Sequence, residues 1–134
     1  EMMENARFKQ IRLIEWIKTN PVPINSKRNY LTNAREVALL GVKVGKPTFN
    51  SQYDNAIYRY GICKDRGRFH PTQKPLKFME ALIEKHSKPD DIVVDTFAGS
   101  ATTLIAAKRL NRAYMGCELD TDCYDKAVKR MNNY

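Results

Sequence analysis

Ile92-Val93-Val94-Asp95-Thr96-Phe97-Ala98-Gly99-Ser100-Ala101-Thr102-Thr103 runs from a β-branched apolar segment through a turn of small residues into Thr102 to Leu110, an Ala- and Leu-rich stretch of helical length, and this order decides the fold. Ile92-Val93-Val94 reads as a short strand buried on both sides, as strands of a covered parallel sheet are. Ala113 to Leu119 supplies the next strand. A last helix is expected to begin near Asp120 or Thr121, with Tyr124, Ala127, Val128 and Met131 on its inner face. Upstream, Pro75 suits the first position of a helix in which Leu76, Met79, Leu82 and Ile83 share a face until Pro89 forbids continuation. Strands and helices alternating in this way imply an α/β architecture with a parallel sheet and right-handed crossovers.

In open α/β sheets, nucleotide-like ligands bind at strand-to-helix turns on the carboxyl edge. Gly99 lets the backbone approach such a ligand with no Cβ in the way, and Ser100 with the following helix N-terminus offers hydrogen-bond donors. The next strand ends in Cys117-Glu118-Leu119-Asp120, which puts Glu118 19 residues after Gly99. That is close to the spacing of roughly 20 residues at which a strand-tip acid accepts hydrogen bonds from ribose hydroxyls. The plainer reading of Glu118 is a solvated acid at a strand end. Asp120 is better explained as the N-cap of the last helix. A dinucleotide site needs three glycines in G-x-G-x-x-G, and only Gly99 is present here. The expected ligand is therefore a nucleoside without a pyrophosphate, a description that S-adenosylmethionine fits.

The first half is less regular. Ile11 to Ile17 reads as a mostly buried strand stopped by Pro21 and Pro23, and Glu36 to Val44 as a second strand, joined by the basic connection Asn25 to Tyr30 with Lys27 and Arg28. From Gly45 to Arg68 the periodicity fades into a surface excursion. There Lys46, Arg59, Lys64, Arg66 and Arg68 interleave with Phe49, Tyr53, Tyr58 and Tyr60. Cations that neutralise phosphates beside rings that stack on unpaired bases suit a nucleic-acid contact; an irregular loop with locally packed tyrosines is the bland alternative. The net charge of +8, from 23 Lys and Arg against 15 Asp and Glu over 134 residues, is compatible with a polyanion partner and equally with simple solubility. Three cysteines without a C-x-x-C pair give no disulfide framework or zinc set. No apolar run is long enough to span a bilayer and the first residues do not resemble a signal peptide, so no membrane association is expected and a cytoplasmic location is.

Asp95 to Thr103 with Gly116-Cys117-Glu118-Leu119-Asp120 resembles the cofactor motifs of the beta-class adenine and cytosine amino-methyltransferases of restriction-modification systems. His70-Pro71-Thr72-Gln73-Lys74-Pro75 is similar to the motif that precedes the cofactor strand in that class, whose motifs are circularly permuted. Trp16 to Pro23 is similar to a family strand and loop near the target base. The resemblance covers nearly the whole chain. It implies a Rossmann-like methyltransferase fold, S-adenosylmethionine as cofactor and double-stranded DNA as substrate, with adenine favoured over cytosine. It implies that Phe97 packs against the cofactor adenine, that Asp95, Ala98, Gly99 and Ser100 lie near the methionine part, that Glu118 holds the ribose, and that Thr72 and Lys74 face the methionine carboxylate. Lys74 taken alone is a solvated first-turn residue. Lys27, Arg28, Lys46, Arg59, Lys64, Arg66 and Arg68 are the candidate DNA contacts. Two positions depart from the family pattern, Ala101 for a second glycine and Thr96 for a proline.

The family's Asp-Pro-Pro-Tyr or Ser-Pro-Pro-Tyr tetrapeptide, which polarises the target amino group and stacks on the flipped base, does not occur in this sequence. The resemblance therefore implies an incomplete domain lacking its central catalytic strand: residues 1–44 on the target-base side, 45–69 a basic DNA-contacting loop region, and 70–134 the cofactor-binding part. No catalytic residue and no metal ligand is expected within it. Strand edges left unpaired in mid-sheet imply a partner, either the missing N-terminal part or a second copy in a homodimer. A non-catalytic nucleic-acid-binding or regulatory module derived from such an enzyme is the second reading. A dinucleotide-dependent oxidoreductase is third, disfavoured by the single glycine.

Overall fold

Ten residues of alternating burial, Lys9–Lys18 (β1), organise the first of two compact units in the computed structural model, which describes residues 1–22, 32–63 and 68–134. This unit comprises Glu1–Pro47 and Ser51–Ile62. After a one-turn helix, Met2–Asn5 (α1), β1 turns Ile14, Trp16 and Lys18 inward, the period of two that one covered sheet face demands. Arg35–Val42 (β2) pairs with it antiparallel and Ile57–Tyr60 (β3) pairs parallel on its other side, giving the order β2-β1-β3. Trp16 fixes this arrangement: it lies opposite Glu36 in β2 and Tyr58 in β3, and its Nε1–H donates to the Tyr60 carbonyl at 2.9 Å. Lys18 is buried as well, its charge paired with Glu36 at 2.9 Å and its Nζ 5.4 Å from the Trp16 ring centroid.

β3 corrects the expectation of a loop throughout 45–69. Tyr58 is buried in the sheet, and burial followed by neighbouring Tyr60 pushes its phenol up, so it packs as a neutral ring. A four-residue parallel strand carries too short a pattern to declare itself, because its partner β1 lies some 40 residues away in sequence, a pairing that local composition does not encode.

The second unit, Thr48–Asn50 with Cys63–Tyr134, follows the expected order closely. Its elements are Leu76–His86 (α2), Ile92–Asp95 (β4), Thr102–Arg109 (α3), Ala113–Gly116 (β5) and Thr121–Met131 (α4). Pro75 is the N-cap of α2 instead of its first helical residue. β4 and β5 are parallel, in register from Ile92 opposite Ala113 to Asp95 opposite Gly116. Ile83, Ala106 and Ala107 form a core against which Leu76, Met79, Val93 and Leu110 pack. Asp120 caps α4 by accepting from the Cys123 N–H at 2.7 Å. Asn50 completes the other end of α2, its amide donating to the Glu84 and Ser87 carbonyls at 2.8 Å each.

Two expectations about burial are corrected here. β4 is not covered on both sides: Val93 points to the helices, while Ile92 and Val94 point the opposite way and are 68% and 58% exposed. On α4, Ala127 is buried and Met131 half-buried, but Tyr124 and Val128 are exposed. Both corrections have one cause. The apolar pattern records faces suited to burial, and among the described residues only one side of the β4–β5 sheet is covered.

Gly116 shows how closely α3 lies on that side. A Cβ placed there would stand 2.6 Å from Leu104 Cδ1 and 3.1 Å from the Asp95 carbonyl oxygen, so only glycine fits without a shift.

Candidate functional site

The turn from β4 to α3 is folded by its own short-range hydrogen bonds. The Asp95 carboxylate accepts from the Phe97 N–H at 3.1 Å, an Asx turn that bends the chain off the strand. Ala98 N–H donates to the Cys117 carbonyl at 2.8 Å and Cys117 N–H to the Asp95 carbonyl at 3.0 Å, which locks the turn to the end of β5. Gly99 takes φ +51° and Ala101 φ +59°. Ala101 therefore occupies the left-handed region that the family-pattern glycine would suit, at a strain of about 1–2 kcal/mol. Its methyl group is fully buried against Leu104 and Ala127, which offsets part of that strain.

Glu118 lies directly beside this turn. Its Oε2 accepts from the Gly99 N–H at 2.7 Å and its Oε1 from the Asp120 N–H at 3.1 Å. These amides, Asp120 first and then Gly99, hold its carboxyl below the usual carboxylate range against the opposing effect of desolvation; the Leu119 amide and His70 add to the lowering. A carboxylate has about four acceptor positions, so two ordinary hydrogen bonds leave capacity for a vicinal diol. Gly99 and Glu118 thus meet in a direct hydrogen bond, as their spacing implied. Phe97, next to Ala98, and Leu119, next to Glu118, are apolar yet 89% and 98% exposed.

His70 is the neighbour that motif spacing did not single out. Its ring carbons and Nε2 come within 3.7–3.9 Å of where a Gly99 Cβ would stand. Its Nδ1 accepts the Thr72 N–H at 3.3 Å and lies 3.0 Å from the Thr72 hydroxyl. With Nδ1 accepting, the ring proton sits on Nε2, on the side of the glycine turn. Thr72 therefore reaches this region through His70, and Lys74 is half-buried just before α2. Ser100 is buried, its hydroxyl paired with Thr102 Oγ1 at 3.1 Å, and it lines the turn's back. Ala98 is half-buried.

The candidate DNA contacts are not gathered in this way. Lys27, Arg28, Lys64 and Arg66 lie outside the described residues. Lys46 and Arg59 are exposed in the first unit, Arg59 on β3. Arg68, in the second unit, donates to the His70 carbonyl at 3.3 Å and also to the Pro71 carbonyl. It braces the loop that carries His70.

Comparison with known proteins matches residues 1–129 to a family model, N6_N4_Mtase, described as DNA methylase. The chain is 32% identical to the Type II methyltransferase M.HinfI of Haemophilus influenzae over 97% of this chain and 41% of that protein. It is 31% identical to M2.LlaDCHI of Lactococcus lactis subsp. cremoris over 97% of this chain and 54% of that protein. The chain therefore spans about half the length of these curated relatives. Among solved structures, the M1.HpyAVI–SAM complex superposes with a TM-score of 0.78 at 37% identity, covering 96% of this chain and 65% of that one. The cytosine-N4-specific PvuII DNA methyltransferase shares the fold, with a TM-score of 0.68 at 20% identity over 99% of this chain and 61% of that one. Taken with the parallel strand-helix order and the Gly99–Glu118 hydrogen bond, these matches show that the chain belongs to the N6/N4 family of DNA methylases, whose α/β methyltransferase fold it carries in part.

Proposed function

We propose that this chain is the cofactor-binding part of a site-specific DNA methyltransferase that acts on the exocyclic amino group of adenine in preference to cytosine. The observation that carries the reading is the hydrogen bond between the Gly99 amide and the Glu118 carboxylate, which brings the glycine turn and an ionised diol acceptor to one place. S-adenosylmethionine bound there supplies an activated methyl group on a sulfonium centre. The residues present suit such a ligand. Glu118 binds the ribose hydroxyls, Phe97 and Leu119 cover the adenine, and the Ser100 N–H and His70 offer donors to the methionine carboxylate, with Thr72 orienting the His70 ring and Lys74 adding positive charge. Asp95 shapes the turn. Lys46 and Arg59, with Lys27, Arg28, Lys64, Arg66 and Arg68, supply cations toward the DNA backbone. The chain alone is not competent for transfer, because its sequence holds no Asp-Pro-Pro-Tyr or Ser-Pro-Pro-Tyr segment to receive the amino group.

Calorimetry with S-adenosylmethionine tests this reading, on the chain and on the chain supplied with the missing N-terminal part. Binding to either supports it; undetectable binding to both removes it. Glu118→Gln is expected to weaken binding at least tenfold, because an amide cannot accept from both backbone N–H groups and the diol. The pH dependence has a defined sign. Since the folded carboxyl titrates below its unfolded range, Glu118 contributes fully above about pH 4.3 and its contribution is lost as pH falls through the lowered folded value. The Glu118 contribution to affinity, the difference between wild type and Glu118→Gln, is therefore expected to stay level from neutral pH down to about pH 5. A contribution that vanishes between pH 7 and about pH 5 is incompatible with this assignment.

A further inference from the structure

We propose that Arg130, which lies outside every motif described above, is a positioning residue that fixes the peptide orientation of the Gly99–Ala101 turn; the inference rests on the reading of that turn as the cofactor cradle. Arg130 belongs to the last turn of α4. Its Nη1 donates to the Ser100 carbonyl at 2.7 Å and to the Thr102 hydroxyl at 2.9 Å, and that hydroxyl is in turn paired with Ser100 Oγ. Seven residues earlier, two turns along the same face of α4, the Cys123 thiol donates to the Gly99 carbonyl at 3.3 Å. Burial, followed by the charges of Glu118 and Asp120, pushes this thiol up, which keeps it protonated and a donor.

Two consecutive carbonyls of the turn are thus held by one face of α4. A trans peptide is planar, so its C=O and N–H point in opposite directions. Holding the Gly99 carbonyl toward α4 turns the Ser100 N–H away from that helix, while the Gly99 N–H is held by Glu118. The turn's own bond, Ala101 N–H to the Ala98 carbonyl at 2.7 Å, holds the N–H side of the Ser100–Ala101 peptide, but Ala101 keeps a left-handed strain that a flip of this peptide would relieve, so a second restraint on its carbonyl side opposes the flip. The charge-assisted hydrogen bond from Arg130 opposes that flip at the Ser100 carbonyl itself. The guanidinium suits the task better than an ammonium would. Both bonds leave Nη1, whose two N–H groups lie in the rigid guanidinium plane and so hold the carbonyl and the Thr102 hydroxyl in one geometry.

A purely structural arginine that only joins α4 to the unit predicts a different outcome. Its loss would lower stability and leave the affinity of the folded fraction unchanged. The test uses the full polypeptide that carries this sequence, with S-adenosylhomocysteine titrated calorimetrically and amide hydrogen exchange followed without ligand. Arg130→Met is expected to weaken binding about tenfold and to accelerate exchange at the Ala101 amide, which the Ala98 carbonyl protects. Arg130→Lys is expected to recover part of both, and Lys129→Met neither to weaken nor to accelerate. If Arg130→Met does not fold, Arg130→Lys decides. A folded Arg130 variant with wild-type affinity and wild-type exchange overturns the positioning role. Wild-type protein that does not bind S-adenosylhomocysteine overturns instead the assignment of the turn as a cofactor cradle, and the positioning role with it.

Discussion

The two units differ in what holds them. In the second, several bends are set by residues close in sequence, with Asn50 and Arg130 the long-range exceptions: the Asp95 side chain turns the chain at Phe97, Asp120 caps α4 three residues before Cys123, and Glu118 reaches back only one strand-helix unit to Gly99. In the first, the decisive contact joins Trp16 to Tyr60 across 44 residues. Short-range chemistry can be read from neighbouring letters. A long-range pairing is created only when the chain closes on itself, and it leaves little local trace.

Three substitutions test this contrast. The largest effect is expected at Trp16. Trp16→Ala removes a buried ring and the hydrogen bond that holds β3, at an expected cost of about 3–5 kcal/mol in denaturant unfolding. Hydrogen exchange is expected to accelerate first at Ile57–Tyr60, with Ile92–Asp95 protected longer; equal loss in both would mean that the two units unfold as one. Gly116→Ala comes next. The added methyl would collide with Leu104 and the Asp95 carbonyl, so about 1–3 kcal/mol of destabilisation is expected, measurable as a lowered denaturation midpoint. The smallest effect is expected at Ala101→Gly. Relief of left-handed strain favours the glycine by about 1–2 kcal/mol. Loss of a buried methyl, about 0.8 kcal/mol, and the added freedom of the unfolded chain, about 0.4–1 kcal/mol, oppose it. The net change is expected to fall within about 1 kcal/mol of zero, and a larger stabilisation would show that the Ala101 methyl contributes nothing to the packing with Leu104 and Ala127.

How much was legible follows the same division. Helices α2, α3 and α4 and strands β1, β2, β4 and β5 all announce themselves through apolar period, proline stops and capping residues. The glycine-to-acid spacing brought Gly99 and Glu118 together correctly. What escaped was the one-turn α1, the end of β5 at Gly116 instead of Leu119, β3, whose four residues hold one buried tyrosine among its neighbours, and the residues that act on the cofactor turn from elsewhere. His70 lies in a quoted motif, yet its role at Gly99 depends on a ring orientation set by Thr72. Arg130 reads in the sequence as one more surface cation near a helix end. Its partners become visible only once α4 is laid across the turn. Burial was misjudged on β4 and α4 for a related reason: hydrophobicity records what a residue is suited to touch, and here the touching surface is not among the described residues.

The uncovered side of the β4–β5 sheet has a practical consequence at the bench. Ile92, Val94 and Met115 form a greasy strip beside a chain carrying eight excess positive charges, so colloidal behaviour will be governed by two opposing forces. Dilute, low-sulfate buffers let like-charged molecules stay apart, whereas salting-out anions both shield that repulsion and strengthen apolar adhesion. Purification by ammonium sulfate would therefore select for clumped material, and a mild non-ionic detergent is the better additive for keeping the strip wetted.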